Sequence, residues 1–190
     1  MTKKMFTMKS QALLIVSIFL LALVERVWFD LGPNIELITL ATILSAFYLN
    51  KKSAFLLTLG IMALSDLLIG NSNIFLFTWS GFILPILAIN TFKNLQVNKI
   101  LSGTLAGISS NLFFFFWTNF GVWALDSWGM YPNTAFGLMS SFINGLPFLK
   151  YSLTSTLFFV PLGFLIYEIT FNSLPTFSKI KSALSRFSFV

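Results

Sequence analysis

Long apolar stretches with almost no charged residues follow one another along this chain, and they constrain its fold more than any other feature. Only 9% of the 190 residues are charged, against roughly 25% in a typical soluble domain, so the chain lacks the polar surface that a globule in water needs. An α-helix crosses the hydrocarbon core of a bilayer in about 20 residues. The predicted spans are residues 11–29, 35–50, 53–70, 74–92, 100–122 and 151–171. The sequence thus predicts an all-α integral membrane protein of six transmembrane helices, with a single membrane domain at residues 1–172.

The second predicted span is the shortest. It has roughly 16 residues and a length of about 24 Å at 1.5 Å per residue, so it requires a locally thin bilayer or a half-buried start. The pattern predicts Asn34 as its N-cap and places Glu36 in its first turn, where a negative charge suits the helix dipole.

Basic residues alternate with acidic or uncharged connections, and this alternation predicts the orientation of the chain. Cytoplasmic connections carry the excess of lysine and arginine, so we expect both termini in the cytoplasm, the protein in the plasma membrane, and the basic tail 173–190 on cytoplasmic lipid. Ten of the twelve basic residues fall on that side: Lys3, Lys4, Lys9, Lys51, Lys52, Lys93, Lys99, Lys179, Lys181 and Arg186. A secretory signal peptide is the alternative for the first stretch. Ala22-Leu23-Val24 is a poor cleavage site, so we expect the first helix to be retained.

Residues 123–150 form the one long connection and are predicted to make a lid-like segment on the outer side. Asn133 or Thr134 is a candidate cap for a short helix that ends at Gly145-Leu146-Pro147. A sixth span would then begin separately at Tyr151.

The residue inventory excludes most catalytic chemistry. The chain has no cysteine and no histidine, which removes thiolate nucleophiles, imidazole bases and the common zinc and haem ligands. Neither a metal nor a cofactor is expected, and the chain is not expected to be an enzyme. Its basic residues stand in scattered pairs, so we expect lipid rather than nucleic acid as a partner.

The predicted outer ends of the first three helices carry several acidic side chains and one arginine, which lie close together in this arrangement. Arg26 and Asp30 are four residues apart and can meet on one helix face, which predicts structural ion pairs there. Ionisable groups inside a bilayer normally pair or line a cavity, so Glu36 and Asp66 are candidate substrate-binding residues. Two interpretations stay open: an ion-pair cluster that joins helix ends, and a ligand-binding site. Both can hold for different residues, with Arg26 paired to Asp30 or Asp66 and Glu36 left to face a substrate.

All five tryptophans fall in the predicted outer half or the outer connection: Trp28, Trp79, Trp117, Trp123 and Trp128. Aromatic belts normally occupy both membrane interfaces, so this asymmetry favours a cavity with aromatic walls over a belt. Nearby amide groups add hydrogen-bonding capacity, and the combination suits a small water-soluble substrate. The predicted substrate-binding residues are Glu36, Asp66, Trp79, Asn111, Asn119, Trp123 and Asn144.

Two further features concern packing. Gly103 and Gly107 have the GxxxG spacing, which we interpret as close packing within the chain rather than as a dimer contact. Pro85 is predicted to kink the fourth helix.

Several motifs resemble an uncharacterised family of small bacterial and archaeal six-helix membrane proteins over roughly residues 12–172. They are Pro33-Asn34-Ile35-Glu36-Leu37-Ile38-Thr39, Ala63-Leu64-Ser65-Asp66-Leu67, Trp117-Thr118-Asn119-Phe120-Gly121-Val122-Trp123-Ala124, Tyr131-Pro132 and Gly145-Leu146-Pro147-Phe148. That family is similar to the substrate-binding S components of energy-coupling factor (ECF) vitamin transporters.

The resemblance implies a substrate-capture subunit of a micronutrient importer, which works with an energy-coupling transmembrane protein and ATPases. The chain departs from S components in its first helix, which lacks small residues at Ala-x-x-x-Ala spacing. The alternative interpretation is a membrane scaffold or assembly protein with a purely structural outer polar cluster.

Overall fold

The chain is all-helical in the computed structural model, which describes residues 8–29, 31–32, 34–70, 72–126 and 128–172. These ranges hold six helices. They are α1, Met8–Val24 with a π-helical turn at Glu25–Phe29; α2, Ile38–Tyr48; α3, Lys51–Ile69; α4, Phe75–Ile83 with a 3-10 segment Leu84–Ala88 and a final turn Ile89–Lys93; α5, Lys99–Ala124; and α6, Ala135–Tyr167 with a π-helical turn at Glu168–Asn172. The predicted tail 173–190 lies outside the described residues.

Three helices begin at capping side chains that accept a backbone N–H in the first turn. Asn50 accepts from Ser53 at 2.8 Å, Asn98 accepts from Leu101 at 2.8 Å, and Thr134 accepts from the N–H of Gly137 at 3.1 Å. The predicted cap at Thr134 is thereby confirmed.

The predicted cap at Asn34 is wrong. Asn34 has a φ of +59°, in the left-handed region that asparagine tolerates better than most residues. Helix α2 begins only at Ile38, after Leu37, which supplies no side-chain cap. Glu36 therefore lies in a non-helical segment before α2 rather than in its first turn.

Helix α2 is much shorter than the other five, which are long and apolar enough to cross a membrane. Its 11 residues measure about 16 Å, and the expectation of a sixth full span at residues 35–50 is not met. The physical reason is burial: residues 38–46 are all buried, and α2 packs against α1, α3, α5 and α6. A helix covered by protein need not match the thickness of a bilayer.

Helix α4 changes its geometry at Pro85, where a kink was predicted. The 3-10 segment Leu84–Ala88 contains Pro85 at its start, and the α-helix resumes at Ile89. Because proline has no N–H and clashes with the preceding turn, this local change agrees with the predicted kink.

Helix α6 runs without a break through Pro147 and Pro161 over 33 residues. The predicted helix end at Gly145-Leu146-Pro147 is therefore wrong, and residues 135–150 form the first half of α6 rather than a separate short helix. The physical reason is packing against α5, since Gly145 is buried directly against the side chain of Asn119. Prolines are tolerated in membrane helices when neighbouring helices hold the structure.

The GxxxG glycines of α5 pack within the chain, as the spacing predicted. A Cβ on Gly107 would lie 2.8 Å from Thr156 of α6, and one on Gly103 would overlap the ring of Phe164. The absence of a side chain at both positions lets α5 and α6 approach closely.

A second polar cluster lies at the opposite end of α2. Tyr48 donates its hydroxyl hydrogen to Glu168, and Lys99 pairs with the same carboxylate at 3.5 Å. Glu168 thus has both a lysine and a tyrosine as partners. It also fixes α2 to α5 and α6 at the end of the bundle remote from Glu36.

Candidate functional site

A cavity of about 500 Å³ lies between the segment before α2 and helices α4, α5 and α6. The connection from α5 to α6 borders it, so the cavity is at the end of the bundle predicted to face outward. Its polar lining residues are Arg26, Asn34, Glu36, Thr78, Thr118, Asn119, Tyr131, Asn144 and Ser152. Its apolar walls include Phe82, Phe114, Phe115, Phe148 and Trp128. Cavities of this size that combine apolar walls with polar groups are typical of small-molecule sites.

Arg26 is the centre of the charged network at this cavity. The π-helical turn at the end of α1 carries it, and its guanidinium pairs with Glu36 at 3.2 Å and with Asp66 at 3.5 Å. Its Nε donates to the Ser65 hydroxyl at 3.0 Å. The predicted structural role of Arg26 is thus supported through Asp66, whereas its predicted partner Asp30 lies outside the described residues.

Glu36 is held in place through its backbone as well as its side chain. Its N–H donates to the Ser155 hydroxyl at 3.2 Å, and that hydroxyl donates to the Glu36 carbonyl at 3.2 Å. The next N–H, from Leu37, donates to the Glu25 carboxylate at 3.2 Å. The expectation that Glu36 stands apart from the ion pairs is wrong, because Arg26 binds it.

The Glu36 carboxyl remains open to the cavity although it is paired, since 20% of its side chain stays exposed. Burial raises the pKa of Glu36 above its ordinary value, and nearby Glu25 raises that pKa further, while Arg26 acts in the opposite direction. This carboxyl therefore loses its negative charge at a higher pH than an exposed glutamate does.

Asp66 and Trp79 lie behind the cavity wall and do not line it. The indole N–H of Trp79 donates to Asp66 at 2.6 Å, while the other carboxylate oxygen faces Arg26. These two predicted substrate-binding residues therefore hold Arg26 from α3 and α4, and neither borders the cavity.

Asn119 and Asn144 both line the cavity, as do their neighbours on α5 and α6. Asn119 donates one amide hydrogen to the carbonyl of Phe115 at 2.8 Å, and Asn144 donates one to the Tyr131 hydroxyl at 3.3 Å. In this arrangement, each carbonyl oxygen is left to accept a hydrogen bond. Their role in substrate binding stays a prediction.

Asn111 lies deeper, at a narrow cleft that adjoins the cavity. It accepts from the Thr39 hydroxyl at 3.2 Å and donates to the Ser152 carbonyl at 2.8 Å and to Thr156 at 2.6 Å. These bonds join α2, α5 and α6, so the structure gives Asn111 a packing role.

Trp123 lies outside the cavity lining. Its indole N–H donates to the carbonyl of Pro132 at 3.2 Å and so ties the end of α5 to the connection that follows. The aromatic residues of this connection that do border the cavity are Trp128 and Tyr131. The sequence did hold one signal for Tyr131, which lies three residues before the predicted cap Thr134. A cap fixes the position of the chain just before a helix, so a residue this close to it is held in place.

Arg26 and Asn34 also line the cavity, although the sequence did not predict either of them to bind a substrate. Within the described ranges, no group of three acidic residues is arranged to hold a metal ion. The arrangement offers hydrogen bonds, charge and aromatic surface to a small molecule.

Comparison with known proteins gives one match. A model described as a family of unknown function, DUF6580, matches residues 6–177. No curated protein and no solved structure matches the chain.

Proposed function

We propose that this chain, which belongs to the family of unknown function DUF6580, binds a small water-soluble molecule as the membrane subunit of a micronutrient importer. The observation that carries the proposal is the cavity of about 500 Å³, whose size lies within the range of about 300–1,000 Å³ that small-molecule sites occupy. The organisation proposed is similar to that of ECF S components.

The construction of the cavity supports selective binding. Several of its polar groups are held by neighbours, as Glu36 is by Ser155 and Asn144 is by Tyr131. Groups that are already fixed lose little freedom when a ligand arrives, which favours affinity.

Import would require a partner that supplies energy. The sequence contains no Gly-x-x-x-x-Gly-Lys-Ser/Thr motif for ATP, so the proposal includes a coupling transmembrane protein and ATPases. Since the first helix lacks Ala-x-x-x-Ala spacing, contact with such a partner would use a different surface from that of S components.

A membrane scaffold is the second candidate, and one observation favours it. Arg26 already directs its nitrogens to Ser65, Glu36 and Asp66, as a purely structural cluster would. A scaffold, however, gives no reason for the large cavity beside this cluster.

Native mass spectrometry of the protein purified gently from its own membranes tests the proposal. A small molecule bound in a one-to-one ratio is the expected result. The variant Trp128→Ala should lose about 1–2 kcal/mol of binding free energy, because Trp128 lines the cavity. Trp123→Ala should retain the molecule, since Trp123 contacts Pro132 outside the lining. Protein free of any small molecule, or equal retention by both variants, would favour the scaffold.

A further inference from the structure

We infer that the solute bound in this cavity carries a positive charge, as a protonated amine does, and that Glu36 is its counter-ion. The inference rests on the proposed function and specifies the chemical class of its substrate. Three properties of the cavity support it: the balance of charge, the hydrogen-bonding atoms left unused, and the aromatic walls.

Carboxylates outnumber cations at this end of the bundle. Among the residues that the structure describes, Arg26 is the one cation that lines the cavity. Glu36 and Asp66 both pair with it, and the Glu25 carboxylate accepts the N–H of Leu37, next to Glu36. One guanidinium is thus shared by the two carboxylates of Glu36 and Asp66. A cationic ligand would offset this excess, whereas an anionic ligand would increase it.

Two hydroxyl groups of the lining offer a ligand acceptors and no hydrogen. Thr118 and Ser152 donate their only hydroxyl hydrogens to the helix carbonyls of Phe114 and Leu149. A hydroxyl keeps its lone pairs when its hydrogen is used in this way. These hydroxyls therefore suit a ligand that donates hydrogen bonds. The two lining asparagines each keep one carbonyl oxygen and one amide hydrogen, and their carbonyl oxygens can accept from the same ligand. An ammonium group has donors and no acceptor.

Arg26 is poorly placed to capture an anion. Its Nε, Nη1 and Nη2 are directed to Ser65, Glu36 and Asp66. A carboxylate or phosphate on the ligand would have to displace one of these partners, which would leave a partly buried carboxylate without compensation.

Aromatic rings form much of the remaining wall, and they include Phe114, Phe115, Phe148, Trp128 and Tyr131. The faces of such rings carry negative electrostatic potential and attract cations within about 6 Å. A cavity with one exposed carboxylate and several rings is therefore suited to a cation with an apolar body.

Three probes of similar shape and different charge test the inference: benzylammonium, benzyl alcohol and benzoate. Each is dialysed to equilibrium against the full chain in nanodiscs of zwitterionic lipid, with empty nanodiscs measuring partition into the lipid. We expect saturable binding to the protein in the order benzylammonium, benzyl alcohol, benzoate. The cation should bind at least about tenfold more tightly than the alcohol, a difference of about 1.4 kcal/mol.

Two matched variants assign the preference to Glu36. Glu36→Gln and Asp66→Asn each remove one carboxylate partner of Arg26, but only Glu36 lines the cavity. Glu36→Gln should abolish most of the advantage of benzylammonium over benzyl alcohol. Asp66→Asn should reduce that advantage less. Circular dichroism of both variants checks that the helices remain folded.

The outcomes separate the substrate class from the proposed function. Equal binding of the three probes, or preference for benzoate, would overturn the cationic class while cavity binding stands. A preference for benzylammonium that survives Glu36→Gln would overturn the role of Glu36. If none of the probes binds to the protein above empty nanodiscs, the cationic class and the proposed binding function both fail.

Discussion

Arg26 joins three parts of the chain through its ion pairs and its bond to Ser65, so its removal should be costly. Arg26→Ala would leave Glu36 and Asp66, both partly buried, without their shared cation. We expect a loss of about 1–3 kcal/mol in the free energy of unfolding, measured by thermal denaturation in detergent. Lys150→Ala, at an exposed position of α6, is the control and should change little. An unchanged melting temperature for Arg26→Ala would show that water already solvates the cluster.

Protonation of Glu36 gives a second prediction at the level of single residues. Its pKa is raised by burial and by Glu25, with Arg26 opposing, while Asp66 and Tyr131 are the other ionisable groups around the cavity. Above this pKa the carboxylate is charged and attracts a cation, and below it the charge is lost. The affinity for benzylammonium should therefore fall as the pH is lowered, beginning at a higher pH than for an exposed glutamate. Glu36→Gln should flatten this dependence, and an identical profile in that variant would contradict the prediction.

Charged residues were easier to place from the sequence than aromatic or turn residues. Arg26 could be predicted to form ion pairs, because a cation inside a membrane normally pairs with nearby carboxylates. Asn34 and Trp123 were misplaced because their positions depend on where the chain turns, and the turn before α2 needed a left-handed residue rather than a cap. Trp128 and Trp123 are equally plausible in sequence, and only the fold decides which borders the cavity.

At the level of helices, the glycines of α5 and α6 determine how closely they approach. Gly107→Ala would bring a Cβ within 2.8 Å of Thr156, which Asn111 also binds, so Thr156 cannot easily move. We expect a destabilisation of about 1–3 kcal/mol from overpacking, measured by thermal denaturation. Gly60 is the matched control, since nothing lies within 4 Å of a Cβ added there. Alanine at Gly60 should be neutral or slightly stabilising through helix propensity, and equal effects at both sites would contradict this account.

The existence of the helices followed from the long apolar stretches, but the ends of those stretches did not always mark the ends of helices. The proline at 147 predicts an end, but α6 continues because its packing against α5 outweighs the local cost of a missing N–H. The length of α2 could not be read from its composition either. A short buried helix and part of a membrane span are equally apolar.

The orientation of the whole molecule remains a prediction from the lysines, of which Lys51, Lys93 and Lys99 lie at helix ends. A reporter that is active only in the cytoplasm, fused after Asn94, should give signal, because the α4–α5 connection lies between Lys93 and Lys99. The same reporter fused after Asp126 should be silent. Signal at Asp126 alone would reverse the topology and place the cavity on the cytoplasmic side.

The burial of α2 has a consequence for how this sequence can change over evolutionary time. Positions that face lipid can exchange one apolar residue for another with little effect on packing, and most helices here have such positions, as Leu67 and Phe158 illustrate. Helix α2 has none between residues 38 and 46, where small side chains such as Ala41 and Ser45 are fully enclosed. We therefore expect sequence drift among relatives to be slowest in this short segment, and a saturation mutagenesis library should tolerate the fewest replacements there.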